Sequence, residues 1–466
     1  MLFSSMTFIF IFLPLVCLVY FLVRPQLRNY VLLAASILFY AWGEPEYLAI
    51  MLLTILVNYA GALLIDKYPK YKKGFLTLTI VTDLGFLAYF KYFNFFIDNF
   101  NRLFRENLDF IEVVMPIGIS FYTFQAISYV VDVYRAEVPV QRDVFKLSLF
   151  ICLFPQLIAG PIVKYNDIAD QIDHREVDFE KLTRGVKRFI IGLAKKVLIA
   201  NTLGAVADKI FVQSPDTMQT SVAWIGSLAY SFQLFFDFSG YSDMAIGLGL
   251  MFGFHIKENF NYPYISKSIT EFWRRWHISL STWFKQYLYI PLGGNRVSKS
   301  RNYLNLSIVF LLTGFWHGAS WSFVVWGIWH GVFILFEKIS GWHKDHSGRF
   351  INAAKHLYTI FVFIIGWVIF RSDNIAYAWA YVKNMFGFVR RPAVLYEISY
   401  YVDNIEIIAF VAAFLCSVPL FSNILNVKQE RRVLNWLVNS WFLILFILSA
   451  VSIAASTYNP FIYFRF

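Results

Sequence analysis

Apolar runs of membrane-spanning length recur along the whole 466-residue chain, divided by short polar stretches. Met6–Val23, Tyr47–Ile65, Phe75–Phe90 and Trp441–Ala455 are the clearest of them. A span takes roughly 20 mostly apolar residues, fewer where a helix is short or re-entrant, and by that measure about 11 to 13 segments qualify. At membrane depth a helix satisfies its own backbone hydrogen bonds and an open loop does not. The pattern therefore predicts an all-α polytopic integral membrane protein.

The polar stretches add an orientation. Arg24 and Arg28 mark the first loop, Glu44 and Glu46 the second, and Lys67, Lys70, Lys72 and Lys73 the third. Basic loops stay cytoplasmic, which places the first and third loops inside and the amino terminus outside. The opening Met-Leu-Phe-Ser-Ser has no basic flank and no small-residue cleavage site follows, so the first apolar stretch is expected to persist as a helix. Lys164–Lys196 interleaves acids and bases and reads as a surface helix leading into an amphipathic one. Pro155 and Gly160-Pro161 interrupt the apolar run before it, where a re-entrant segment fits. With no soluble insert, linker or repeat in view, residues 1–466 read as a single domain.

Composition narrows the function classes. The chain is 58% hydrophobic and 15% charged, against about 25% charged in soluble proteins. Its net charge of +11 fits cytoplasmic loop anchoring. No basic domain stands apart and no glycine-rich phosphate loop follows a strand-like run, which argues against nucleic-acid and nucleoside-triphosphate binding. Cys17, Cys152 and Cys416 lie far apart in apolar segments and read as packing residues. The histidines form no metal-binding pattern, and no metal is expected.

Two histidines sit in unusual company. As a helix from Thr270 to Tyr287, Trp273, Trp276, His277, Leu280, Trp283, Phe284 and Tyr287 share one face, with Arg275, Ser279, Thr282 and Gln286 opposite. His277 would then point with the aromatics, towards an interior cavity or a membrane interface. The same pattern also suits an anchoring helix whose histidine bonds to backbone. His317 lies between Gly314 and Gly318, with Thr313 and Ser320 near. Small residues four apart let helices approach closely, and they also leave room for a substrate beside the backbone. An imidazole suits a general base near neutral pH; a tightly packed helix pair around a structural histidine is the alternative. His330, thirteen residues on and about 140° round a continuous helix, is expected to face a different neighbour and to be structural. His174, His343 and His346 are expected in solvent, with His255 and His356 open.

Asp237, Ser239, Tyr241, Ser242 and Asp243 interrupt a long apolar stretch. Either Ser242 or Asp243 caps a helix continuing through Met251, or these groups line a water-filled path or bind a polar substrate, since acids at membrane depth seldom face lipid. The turns Asn259–Tyr264 and Pro291–Asn295 frame the tryptophan helix and set the angle at which His277 enters.

Together these motifs resemble the membrane-bound O-acyltransferase family, and within it the bacterial branch of alginate and peptidoglycan O-acetyltransferase membrane subunits. The resemblance rests on Met115–Gln125, Phe154–Pro161, Phe236–Asp243, Glu271–Ser281, Tyr289–Gly294, Gly314–Trp321, the opening Met-Leu-Phe-Ser-Ser and the end Asn459–Phe466, essentially the full chain. Arg465 departs from the glutamine common there. The resemblance implies a ring of helices round a funnel or tunnel in the inner membrane. It implies that the family's invariant histidine is His317 and its second characteristic residue His277. His317 would remove the proton of an acceptor hydroxyl. His277 would position the acyl donor, or stabilise charge on the thioester oxygen as an oxyanion-hole donor does. Asp237, Ser239, Tyr241, Asp243, Trp276 and Trp316 would line the donor channel, and Arg274 or Arg275 would meet coenzyme phosphates. Acetyl-coenzyme A is the implied donor substrate, with no bound cofactor, and an extracytoplasmic serine-hydrolase-like transferase is the implied partner for acetylating a polysaccharide. A D-alanyl transferase for teichoic acids, a transporter or flippase, and a non-catalytic scaffold are the competing readings.

Overall fold

A computed structural model describes residues 1–344, 348–388, 396–421, 432–456 and 458–462, and every regular element among them is helical. Six described helices are long and apolar enough to cross a membrane: Leu48–Lys67, Pro69–Phe104, Phe179–Phe211, Trp321–Ser340, Arg349–Arg371 and Trp436–Ala455. Phe8–Leu22 and Asn404–Cys416 are shorter apolar helices. The clearest apolar runs of the sequence each fall on one of these eight. The last long helix is the least covered by protein, with Leu443, Ile444, Ile447, Leu448 and Val451 all exposed, as a lipid-facing helix requires. The protein is a multi-pass α-helical membrane protein. His346 and Arg465 lie outside the described residues.

The described chain forms two compact units. The first comprises Met1–Phe189 and Ser242–Lys257. In it, helices Leu48–Lys67 and Lys72–Leu87 meet where Gly61 faces Thr79; a Cβ on Gly61 would lie 2.2 Å from the Thr79 Oγ1. The same two helices share a buried polar contact, Asn58 Nδ2 donating to Asp83 Oδ1 at 2.9 Å. The stretch from Leu153 to Val163 is buried throughout. The one-turn helix Phe154–Leu157 within it is anchored by Phe154 N–H donating to Ser36 Oγ at 3.1 Å and by Gln156 donating to the Phe150 carbonyl. Enclosure of this kind is what irregular backbone needs at membrane depth. Downstream, Tyr165–Asp173 is a separate helix, and the amphipathic helix Phe179–Ala194 continues through a π-helical turn to Phe211.

The second unit comprises Ile190–Tyr241 and Glu258–Phe466. Lys299–His317 and Trp321–Ser340 form a tight helical pair joined by Gly318–Ser320, with Gly314 and Gly327 at their crossing. Arg349–Arg371 packs on the pair, and an aromatic core fills the space between them and the short helices Ile269–Arg275 and Ile278–Phe284.

One expectation about local structure is corrected here. Thr220–Met251 is a single helix of 32 residues, and Asp237–Asp243 neither breaks nor caps it. The boundary between the two units passes through it after Tyr241. The acids are tolerated in mid-helix because each has a cation. Lys196 Nζ lies 2.6 Å from Asp237 Oδ1, and Arg188 Nη2 lies 2.6 Å from Asp243 Oδ1. Earlier in the same helix, Ser227 and Ser231 return their hydroxyls to the carbonyls four residues back.

Candidate functional site

The tryptophan helix is not continuous. Ser268 caps its start by accepting Glu271 N–H at 2.9 Å, and the helix runs only from Ile269 to Arg275. Trp276 is extended, His277 has φ +45° and ψ 56°, and a second helix begins at Ile278. The shared face read from a continuous helix does not exist, although His277 is fully buried all the same. A left-handed conformation costs a non-glycine residue roughly 1–2 kcal/mol, so the surroundings must impose it. Asn259 does much of this. Its carbonyl accepts Ile278 N–H at 2.9 Å, and its side-chain Oδ1 accepts Ser279 N–H at 3.1 Å and Ser279 Oγ–H at 2.8 Å. Asn259 Oδ1 is also 3.2 Å from His277 Nδ1. Ser281 Oγ–H donates to the Trp273 carbonyl that the break frees.

A residue that the sequence reading did not single out sets the other end. Glu337, fully buried on Trp321–Ser340, accepts Ile269 N–H at 2.5 Å, Thr270 N–H at 2.8 Å and the Thr270 hydroxyl at 2.6 Å. A carboxylate on the first free N–H groups of a helix is favoured by the helix dipole. The signal was present in the sequence: a lone acid closing an apolar run.

His317 ends its helix. Gly318 after it is extended, and Ser320 Oγ accepts Ser322 N–H to start the next helix. The His317 ring meets Trp316, Trp326 and Phe370 edge-on, at centroid distances of 5.0, 4.9 and 5.3 Å. His277 meets Phe238 edge-on at 4.6 Å and Trp316 at 6.3 Å. Trp316 is thus in contact with both histidines. His330 lies 5.1 Å from Trp326 and 5.1 Å from Trp273, fully buried. The turn at Gly318–Ser320 voids the helical-wheel argument that separated it from His317, and both rings share Trp326.

The glycines around His317 do not open space for a substrate. A Cβ on Gly314 would stand 2.3 Å from the Phe323 carbonyl oxygen and 3.0 Å from Gly327 Cα; one on Gly318 would stand 2.2 Å from the Phe323 ring. Helix packing fills both positions. Gly314→Ala is accordingly expected to destabilise the protein by about 1–3 kcal/mol through overpacking against backbone. Thermal unfolding of the detergent-solubilised variant measures this.

The other expected site residues are distributed as follows. Trp276 is buried, 5.6 Å from Phe272 and 4.9 Å from Trp367. Arg275 bonds to Glu271 at 2.9 Å and to the Asn261 carbonyl at 3.1 Å, while Arg274 is exposed. Asp237, Ser239 and Tyr241 belong to the same unit as the histidines, whereas Asp243 belongs to the other. Asp237 and Tyr241 hold the Pro460–Ile462 segment: Asp237 Oδ2 accepts Ile462 N–H at 2.9 Å, Lys196 donates to the Pro460 carbonyl, and Phe461 packs on Tyr241 at 4.9 Å. Of the other histidines, His174 and His255 are exposed. His343 and His356 are half-buried, each with Nδ1 at a backbone carbonyl, so His343 is not the freely solvated side chain expected. Burial lowers the His277 pKa to about 3 and keeps its ring neutral.

Residues 37–372 match the sequence model of the membrane-bound O-acyltransferase family. The protein named "Probable alginate O-acetylase AlgI" of Azotobacter vinelandii is 45% identical over 395 residues, 83% of this chain and 78% of that one. Its namesake in Pseudomonas putida is 41% identical across the full length of both chains. The "Peptidoglycan O-acetyltransferase" of Helicobacter pylori is 34% identical over all of this chain and 98% of its own.

Proposed function

The chain belongs to the membrane-bound O-acyltransferase family and is an O-acyltransferase; we propose that it takes an acetyl group from cytosolic acetyl-coenzyme A and passes it across the bacterial inner membrane for O-acetylation of an extracytoplasmic polysaccharide. The names of the relatives support acetyl as the acyl group and a polysaccharide as the final acceptor. The observation that carries the chemistry is the pairing of His277 and His317 on Trp316 within an aromatic cluster.

In this reading residues 1–466 act as one functional domain, and His317 is the general base. It takes the proton of the acceptor hydroxyl as that oxygen attacks the thioester carbonyl; the carbon–sulfur bond then breaks and the thiolate leaves with the proton. His277, across Trp316, positions the donor. Arg274, exposed beside this region, is the better placed of the two arginines for a coenzyme phosphate, because Arg275 is committed to Glu271. Trp276 and Trp316 furnish apolar walls, and a serine-hydrolase-like protein outside the membrane completes transfer to the polymer.

The test is coenzyme A release. Purified protein in nanodiscs, given acetyl-coenzyme A and the extracytoplasmic transferase with its polysaccharide, is expected to release free coenzyme A in step with polymer acetylation. No D-alanyl carrier protein should be needed. Movement of an intact solute without thioester cleavage would replace this reading with transport.

A further inference from the structure

We infer that Asn259 is a positioning residue that holds His277 with its proton on Nδ1, so that His277 meets the substrates through Nε2 as a hydrogen-bond acceptor. The inference rests on the acyl-transfer reading for its consequence, and on geometry for its substance.

The Asn259 side-chain atom nearest His277 must be the carbonyl oxygen. It receives the backbone N–H of Ser279 at 3.1 Å, and a backbone N–H can only donate, so the amide nitrogen cannot occupy that place. An amide oxygen only accepts. Its 3.2 Å contact with His277 Nδ1 is therefore a hydrogen bond only if Nδ1 carries the proton. Ser279 Oγ, 3.4 Å from Nδ1, does not compete, because its own hydroxyl is turned to Asn259 at 2.8 Å. A neutral imidazole has one proton, which leaves the lone pair on Nε2.

His277 Nε2 is fully buried and has no hydrogen-bond partner among the described residues. Among the described residues Phe238, Trp316, Asn259 and Ser279 are in contact with the ring, and all four are uncharged. A buried acceptor left unsatisfied costs about 1–3 kcal/mol. A substrate O–H or N–H would remove that cost: the acceptor hydroxyl, or an amide N–H on the coenzyme arm. What the locked tautomer excludes is a hydrogen bond from neutral His277 to the thioester oxygen, since Nε2 has no proton to give. The oxyanion-donor role considered for His277 therefore falls away and the positioning role remains.

The full-length protein in nanodiscs, labelled with 15N-histidine, reads the tautomer directly, with the His277→Gln difference spectrum giving the assignment. The expected result is a non-protonated Nε2 and a protonated Nδ1. In the transfer assay Asn259→Ala is expected to lose about 10–100-fold in kcat/KM, the usual cost of removing a partner that orients a histidine. A rise in KM for acetyl-coenzyme A identifies the amide as the group held; a rise in KM for the acceptor identifies the hydroxyl. Asn259→Asp keeps an accepting oxygen and should restore most of the rate at alkaline pH. Its carboxylate favours the imidazolium, which raises the His277 pKa and moves the acid limb of the pH profile to higher pH. A proton on Nε2 in the unaltered protein, or an Asn259→Asp profile that does not move, overturns the assignment. Absence of coenzyme A release from the unaltered protein would instead count against the acyl-transfer reading, and the labelled spectrum would still decide the tautomer.

Discussion

Replacing His317 with alanine is expected to lower acetyl transfer by about 10²–10⁴-fold, the range that a general base supplies. The loss should appear in kcat, with little change in KM for acetyl-coenzyme A, since the proposed role is in bond formation and not in donor binding. The variant also loses a ring packed edge-on against Trp316, Trp326 and Phe370, so part of any effect could be structural. His330→Ala supplies the comparison. His330 packs on the same Trp326 at 5.1 Å and is at least as buried, yet it has no assigned chemistry. Both variants should lower thermal stability, and only His317→Ala should abolish coenzyme A release from protein that remains folded. Equal losses of activity in two equally folded variants would remove His317 from the role of base.

The elements of this fold were legible in the sequence wherever burial and length speak together. Apolar runs such as Tyr47–Ile65 and Trp441–Ala455 can only be helices at membrane depth, and they are. What periodicity could not show is where a helix stops. His277 sits in a left-handed turn imposed by Asn259, eighteen residues upstream, and that bond pattern leaves no mark on the helical wheel of Thr270–Tyr287. The same limit hid the turn at Gly318–Ser320 and with it the nearness of His330 to His317. Glycines at Gly314 and Gly318 correctly announced a close approach, but whether a substrate or Phe323 fills the gap is a tertiary fact. The acids at Asp237 and Asp243 were expected to avoid lipid. Their partners, Lys196 and Arg188, come from a helix far away in sequence, and pattern alone could not pair them.

That pairing yields a second strong expectation. Lys196 and Asp237 are both almost wholly buried, 2.6 Å apart. Two charges taken out of water repay the cost only through each other, and removing one partner strands the other at a cost of about 3–5 kcal/mol. Lys196→Met and Asp237→Asn should each destabilise the protein by about that much. In the double variant neither charge remains, while the asparagine oxygen can still accept Ile462 N–H. It is expected to regain most of the loss, so the double-mutant cycle should show a coupling at least as large as one single-variant loss, about 3–5 kcal/mol. Unfolding midpoints of the four proteins in one detergent measure it. The cycle also decides what Asp237 is for. If it binds the donor instead of holding Pro460–Ile462, Asp237→Asn will raise KM for acetyl-coenzyme A at unchanged stability, and Lys196→Met will not restore it.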